Sequence, residues 1–111
     1  VKEKDKEPLA IGGFNPLEAV YQYNPIPDVL NKDEQQYILG AQGNLWTEYI
    51  PDFKQLEYMA LPRMCALAEN LWTPASLKNY NSFLKRMQQH KLVLDIEKAN
   101  YAKHFLIEAN K

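Results

Sequence analysis

The stretch ILGAQGNLWTEYI, residues 38–50, places an indole and a carboxylate two positions apart, at Trp46 and Glu48. Both follow a run of apolar and small residues that predicts a strand over residues 37–45. The flat apolar ring of a tryptophan can pack against C–H groups, and a carboxylate can accept hydrogen bonds from several hydroxyls. A sugar presents both kinds of surface, so the pair indicates carbohydrate binding.

Composition excludes several other function classes. The chain has 111 residues, which is enough for one domain, and its formal net charge is −1. Without a basic stripe to neutralise phosphates, no nucleic-acid partner is expected. No apolar run approaches the ~20 residues that cross a bilayer, so no membrane span is expected either.

Residues that often carry metal or nucleophile chemistry lack the spacing that this chemistry needs. Cys65 is the only cysteine, and its apolar helical surroundings predict a buried, inert thiol. His90 and His104 are interpreted as surface or helix-end residues. The sequence contains no zinc pattern and no glycine-rich phosphate or dinucleotide loop. We therefore expect neither a metal nor a cofactor.

Helices are predicted on both sides of the strand. A helical turn over residues 16–21 would begin at Asn15 as N-cap. Apolar residues at three- and four-residue spacing predict a helix over residues 55–72, which Pro62 either kinks or divides.

The end of the chain predicts more helix. Ser76 is the expected N-cap of a helix over residues 77–95, and the rest is compatible with a short helix or an irregular tail. One strand cannot pair its own backbone groups, and an α/β domain of this length should alternate strands and helices several times. The chain therefore looks like the end of a larger unit.

The same residues resemble the family 20 glycoside hydrolases, which are β-N-acetylhexosaminidases. That family has a Gly-rich strand ending in Leu-Trp-x-Glu, then Pro-Arg, an Ala-rich stretch, a Glu and Leu-Trp. The matching positions are Leu45, Trp46, Glu48, Pro62, Arg63, Ala66, Ala68, Glu69, Leu71 and Trp72. The spacing agrees throughout.

The resemblance implies an α/β fold class: a C-terminal fragment of a (β/α)₈ TIM barrel that is mainly α-helical when seen alone. All of residues 1–111 would belong to the C-terminal part of the catalytic domain. Residues 1–36 would be a loop region before the last strand, residues 37–72 the last strand and helix, and residues 73–111 a C-terminal helical extension.

The resemblance also implies a function. The full enzyme would be a hydrolase of carbohydrate metabolism that removes terminal non-reducing N-acetylhexosamine by substrate-assisted retention. Trp46 would wall the sugar pocket and Glu48 would bind sugar hydroxyls. The family's acid-base Asp-Glu pair has no counterpart here, because Asp33-Glu34 lies in a polar loop. No catalytic residue is assigned, and the fragment alone is expected to be inactive.

Further expectations concern cellular location, three other residues and two alternative roles of the chain. Bacterial members of the family are usually exported, which implies a periplasmic or secreted location. Arg63 and Glu69 are interpreted as structural ties and Trp72 as a core residue. One alternative is a small helical interaction or structural module without catalysis. Another is a fragment that self-associates to cover its strand edge and apolar helix face.

Overall fold

A computed structural model describes residues 15–109, and its regular structure within that range is helical. The six α-helices are α1 (Leu17–Gln22), α2 (Lys32–Gln35), α3 (Phe53–Ala60), α4 (Arg63–Trp72), α5 (Tyr80–Ile96) and α6 (His104–Glu108). Single 3₁₀ turns occur at Thr47–Tyr49 and Ala75–Leu77. The first 14 residues of the predicted 1–36 loop region lie outside the described residues.

The strand predicted over residues 37–45 is not formed, and residues 15–109 contain no β-strand. No hydrogen bond joins residues 39–46 to another described residue. A strand is defined by its ladder to a neighbour, and no neighbouring strand is present in the described chain. The prediction of a strand is therefore wrong for the described chain, because a strand needs a neighbouring strand and residues 15–109 supply none. The prediction of a mainly helical chain is confirmed.

Pro62 divides the helix predicted over residues 55–72 into α3 and α4. The division follows from proline chemistry, because a proline ring cannot donate the hydrogen bond that a continuous helix needs. The Leu61–Pro62 peptide bond is cis, and Pro62 is the N-cap of α4. At the start of α3, the Asp52 carboxylate accepts a hydrogen bond from the Gln55 amide at 2.8 Å.

Two predicted N-caps are wrong. Helix α1 begins one residue later than expected, with Pro16 rather than Asn15 at the N-cap. Helix α5 is capped by Asn79 rather than Ser76, since the Asn79 side chain accepts from the Ser82 amide at 2.8 Å. Ser76 lies instead in the 3₁₀ turn that precedes α5. Only one helical turn separates the two candidates, so a local pattern does not distinguish them.

A small core joins α1, α4, α5 and α6. Tyr21 of α1 has no exposed surface, and its ring centroid lies 5.0 Å from that of Phe83 in α5. Phe105 brings α6 into the same core at 1% exposure. The other buried members are Leu17, Ala66, Leu84, Met87, Leu94 and Tyr101. No buried side-chain polar atom of the described residues lacks a hydrogen-bond partner. The helices are therefore held by a core of their own.

Much apolar surface lies outside this core. Trp72 was expected in the core, but it is 89% exposed at the end of α4. Leu39 is 97% exposed, and Met64 and Leu71 of α4 are also exposed. Helix α4 thus presents its Ala66 side to the core and leaves Met64, Leu71 and Trp72 exposed. We conclude that the described chain buries only part of the apolar surface that its sequence contains.

Candidate functional site

Trp46 and Glu48 lie two positions apart at the 3₁₀ turn Thr47–Tyr49. Trp46 is the N-cap of this turn, and the Ile50 amide closes it by donating to the Thr47 carbonyl oxygen at 3.1 Å. The Trp46 indole is 67% exposed, and Glu48 is exposed as well. The turn therefore presents both side chains to the solvent rather than to the helical core.

The exposed pair has open binding capacity. The Glu48 carboxylate accepts no hydrogen bond from the other described residues, so its oxygens are available to a ligand. Trp46 supplies an apolar face next to these oxygens in the chain. An ionised carboxylate accepts through two oxygens, and bonds to such a charged group are stronger than neutral ones. This chemistry suits a ligand that carries hydroxyl groups beside an apolar face.

The segment that leads to Trp46 lies against two helices. Residues 40–43 line a cleft of about 420 Å³ together with Ala19, Val20 and Tyr23 at the end of α1 and Leu67 of α4. A Cβ atom placed on Gly43 would lie 3.4 Å from the Leu67 Cδ2 atom, which is ordinary contact distance. The segment therefore runs close beside α4 at Gly43, where there is still room for a Cβ atom.

Asn70 holds the other end of the same segment. Its side-chain Nδ2 donates to the carbonyl oxygens of Val20 at 2.9 Å and Tyr23 at 2.8 Å. The last carbonyls of a helix have no partner within the helix, so this amide satisfies the end of α1. The Lys78 ammonium donates to the Asn70 Oδ1 atom, which fixes the orientation of the amide. Asn70 is 3% exposed and is the only buried polar residue among those described.

Glu69 and Tyr21 connect α1, α4 and α5. The Tyr21 hydroxyl donates to Glu69 Oε1 at 2.9 Å and accepts from the Asn79 amide at 2.9 Å. Glu69 also forms an ion pair with Arg86 of α5. Burial raises the pKa of Tyr21, the Asn79 amide lowers it and Glu69 raises it again. The hydroxyl therefore stays protonated and keeps donating.

Arg63 has the structural contacts expected for it. Its Nε atom donates to the Asn15 carbonyl oxygen at 3.0 Å, and its Nη1 atom donates to the Met59 carbonyl oxygen at 3.2 Å. Together with Glu69 it ties α4 to the segment that contains α1. Both residues therefore act as ties between elements in the described chain.

The Asp33-Glu34 pair lies in helix α2 rather than in the expected polar loop, and Glu34 has a structural role there. The Glu34 carboxylate accepts from the Asn31 amide at 2.9 Å, and Asn31 Oδ1 accepts from the Glu34 amide at 3.0 Å. These two bonds form a capping box at the start of α2. Glu34 is therefore engaged in holding a helix end.

The remaining candidates show no chemistry of their own. Cys65 is half-buried, and burial raises the pKa of its thiol, which disfavours the nucleophilic thiolate. His104 begins α6, and His90 is exposed on α5. Residues 15–109 contain no group of three or more His, Cys, Asp or Glu side chains placed to hold a metal ion. The helices described are too short or too polar to cross a membrane.

Sequence reasoning assigned no role to Asn70, Tyr21 or Lys78, although these residues hold the segment that carries the candidate pair. One signal was present for Asn70. It lies four positions after Ala66, on the buried face of α4, in the otherwise apolar run ALAENLW. A polar residue on a buried helix face needs partners, so its position could have indicated a tie to another element. The partners themselves are about 50 positions away.

The sequence profile of the glycosyl hydrolase family 20 catalytic domain matches residues 1–75, which include Trp46 and Glu48. The chain belongs to this family. The match ends before α5, so the last two helices lie beyond the matched part of the catalytic domain.

Curated relatives of this family 20 chain carry hexosaminidase names. A β-hexosaminidase of Porphyromonas gingivalis is 46% identical over 95 residues, which is 86% of this chain and 12% of that protein. A β-hexosaminidase of Akkermansia muciniphila is 30% identical over 77% of the chain and 17% of its own length. β-Hexosaminidase 3 of Arabidopsis thaliana is 32% identical over 72% of the chain and 15% of its own length. The chain thus spans less than a fifth of the length of these relatives.

Proposed function

We propose that this chain forms part of a β-N-acetylhexosaminidase and supplies two residues of its sugar pocket. The family match and the names of the relatives support the enzyme class. The observation that carries the site is the exposed 3₁₀ turn, on which Trp46 and Glu48 are both open to a ligand. Trp46 packs on the apolar face of a terminal N-acetylhexosamine, and Glu48 accepts hydrogen bonds from its hydroxyls.

In this proposal the hydrolysis itself uses groups outside the chain. The acetamido oxygen of the substrate attacks the anomeric carbon, and an Asp-Glu pair elsewhere in the barrel orients the acetamide and transfers the proton. The short share of each relative that the chain covers is consistent with this division of labour. In the complete enzyme residues 37–45 would then pair as the last barrel strand, and that enzyme would work in the periplasm or outside the cell.

Substitution of the pair in the complete enzyme tests the sugar contacts. We expect Trp46→Ala and Glu48→Gln each to lower kcat/KM roughly 10- to 100-fold, because each removes contacts of about 1.5–3 kcal/mol with the sugar. Steady-state kinetics with a chromogenic N-acetylglucosaminide gives the measurement.

Matched controls separate contact from folding. Phe53 is also an exposed aromatic and Glu97 an exposed carboxylate, so Phe53→Ala and Glu97→Gln should leave kcat/KM unchanged. Unchanged kinetics in Trp46→Ala and Glu48→Gln would contradict the proposal. If Trp46→Ala and Glu48→Gln lowered the melting temperature of the enzyme along with kcat/KM, the pair would have a structural role instead.

The isolated chain should not hydrolyse the same chromogenic substrate, since the proposed acid-base pair is supplied from elsewhere. The assay compares the purified chain with the complete enzyme at equal molar concentration. Turnover by the chain alone that disappears in Glu48→Gln would show that these residues perform the chemistry themselves. That result would favour a catalytic centre inside residues 1–111.

A further inference from the structure

We propose that Asn70 is a positioning residue: it fixes where Trp46 and Glu48 lie by holding the residues just before the segment that leads to them. This segment, residues 24–46, is called the connecting segment below. The inference rests on the proposed sugar role of the two residues only in its functional part. Its geometric part is independent, because it concerns contacts that are present in the chain itself.

The connecting segment needs an external anchor. It contains the short helix α2, but residues 39–46 form no hydrogen bond with other described residues. Trp46 is the last residue of this unbonded stretch, and Glu48 lies two residues after it. A chain without bonds of its own takes its position from whatever holds its two ends. The other end, after Trp46, continues through the turn Thr47–Tyr49 into α3 and α4.

Helix α4 contacts the connecting segment near both ends through one face. Asn70 donates to the carbonyls of Val20 and Tyr23, just before the segment starts. Leu67 lies beside Gly43, three residues before Trp46: a Cβ atom placed on Gly43 would be 3.4 Å from the Leu67 Cδ2 atom, and both residues line the same cleft. Residues three apart on a helix lie on the same side, so Leu67 and Asn70 form one continuous surface. This surface of α4 therefore bonds to the residues just before the connecting segment and lies beside Gly43 near its end.

The amide of Asn70 is suited to this role in a way that few side chains are. Its two N–H groups face two carbonyl oxygens, and its oxygen faces the Lys78 ammonium. Each N–H group therefore has an acceptor and the side-chain oxygen has a donor. The residue is also almost fully buried. An aspartate of the same shape would turn a carboxylate toward two carbonyl oxygens and donate to neither. The substitution therefore removes the anchor without removing volume.

Distances between two spin labels test whether Asn70 fixes the position of the connecting segment. The chain is labelled with nitroxides at Asn44→Cys on the connecting segment and at Gln89→Cys on α5, in a Cys65→Ser background. We expect a narrow distance distribution with Asn70 in place and a clearly broader one in Asn70→Asp. Lys78→Met, which frees the amide but keeps Asn70, should broaden it less. If Asn70→Asp does not fold, as judged by circular dichroism, Lys78→Met decides the result.

Tyr80→Phe is the matched control. It also removes a side-chain hydrogen bond of the helical unit, from the Tyr80 hydroxyl to Glu108 Oε2, but it does not touch the connecting segment or its anchors. The control should keep the narrow distribution. Equal widths in the unsubstituted chain and in the deciding Asn70 or Lys78 variant would overturn the proposal, as would equal broadening in Tyr80→Phe.

Kinetics of the complete enzyme test the functional part. Displacement of a binding pair by about 1 Å is enough to weaken substrate use strongly, so we expect Asn70→Asp to raise KM roughly tenfold. Tyr80→Phe should leave KM unchanged. A broadened distance distribution with an unchanged KM would uphold the anchor and count against the sugar role of Trp46 and Glu48. An unchanged distribution would overturn the anchor whatever the kinetics show.

Discussion

At the scale of single residues, the start of α5 shows how a distant contact selects between two similar caps. Ser76 and Asn79 are both favourable N-cap types, and the sequence pattern favoured Ser76. The backbone N–H of Asn79, however, donates to the hydroxyl of Tyr21, 58 positions away. Asn79 is thereby held with its side chain over the first turn of α5. No local pattern contains this contact, which is why the cap was predicted one turn too early.

A pair of alanine substitutions checks this assignment. Asn79→Ala should lower the free energy of unfolding by about 1 kcal/mol, because the Ser82 amide loses its acceptor. Ser76→Ala should change it by less than about 0.5 kcal/mol, since Ser76 is exposed and caps no α-helix. Urea unfolding of the chain measures both. Equal losses in the two variants would contradict the assignment.

The candidate pair itself was accessible from the sequence, because its signal is local. An indole and a carboxylate two positions apart after an apolar run can be recognised in 13 letters of sequence. What holds the pair was not accessible in the same way. Asn70 acts through the backbone carbonyls of Val20 and Tyr23. Every residue type has a backbone carbonyl, so the sequence does not show which carbonyls need a partner.

At the scale of elements, α1 depends on α4 and α5 for its stability. It is a helix of six residues, too short to persist alone, and its Pro16 N-cap makes no side-chain capping bond. Tyr21, Asn70 and Arg63 provide the bonds that attach it to its neighbours. The Tyr21 hydroxyl is central to this attachment because it bonds to α4 and to the start of α5 at once.

Removal of that hydroxyl should therefore be costly. Tyr21→Phe leaves the Glu69 carboxylate and the Asn79 amide short of a partner, and we expect a loss of about 1–3 kcal/mol in the free energy of unfolding. Tyr80→Phe removes one more exposed bond, to Glu108, and should cost less than about 1 kcal/mol. Chemical denaturation of both variants makes the comparison. A greater loss in Tyr80→Phe would show that α1 is attached by other means.

Secondary-structure elements were predicted correctly where local residues determine them. The predictions failed where a distant part of the protein determines the element. The boundary at Pro62 follows from a missing N–H, and the structure confirms a division there. The apolar spacing along α5 predicts a stripe of five residues facing the core. Four of them are buried and Tyr80 is half-buried; the buried four are Phe83, Leu84, Met87 and Leu94. Two predictions failed for lack of a partner. The strand over residues 37–45 needs a neighbouring strand to pair with, and Trp72 needs another element packed over its side chain to be buried. Neither partner is present among the described residues.

At the scale of the whole molecule, the uncovered apolar surface predicts association of the isolated chain. Trp72 and Leu39 are both almost fully exposed, and surfaces of this kind are seldom left open in a stable monomer. Sedimentation at rising concentration should show species larger than the 12.9 kDa monomer. Trp72→Gln together with Leu39→Gln should reduce them, and Glu97→Gln should not. A monomer at all concentrations would count against this expectation.

The unbonded backbone of residues 39–46 also makes the chain selectively cleavable. A protease binds its substrate as an extended stretch with free peptide groups, and helices must first unwind to enter its cleft. Chymotrypsin would therefore cut first near Leu39, Leu45 or Trp46, well before it reaches α5. The two pieces would remain joined after the cut, because Tyr21 and Asn70 bridge them through contacts that the protease does not touch. A nicked chain would thus migrate as one particle in native conditions and as two bands once denatured.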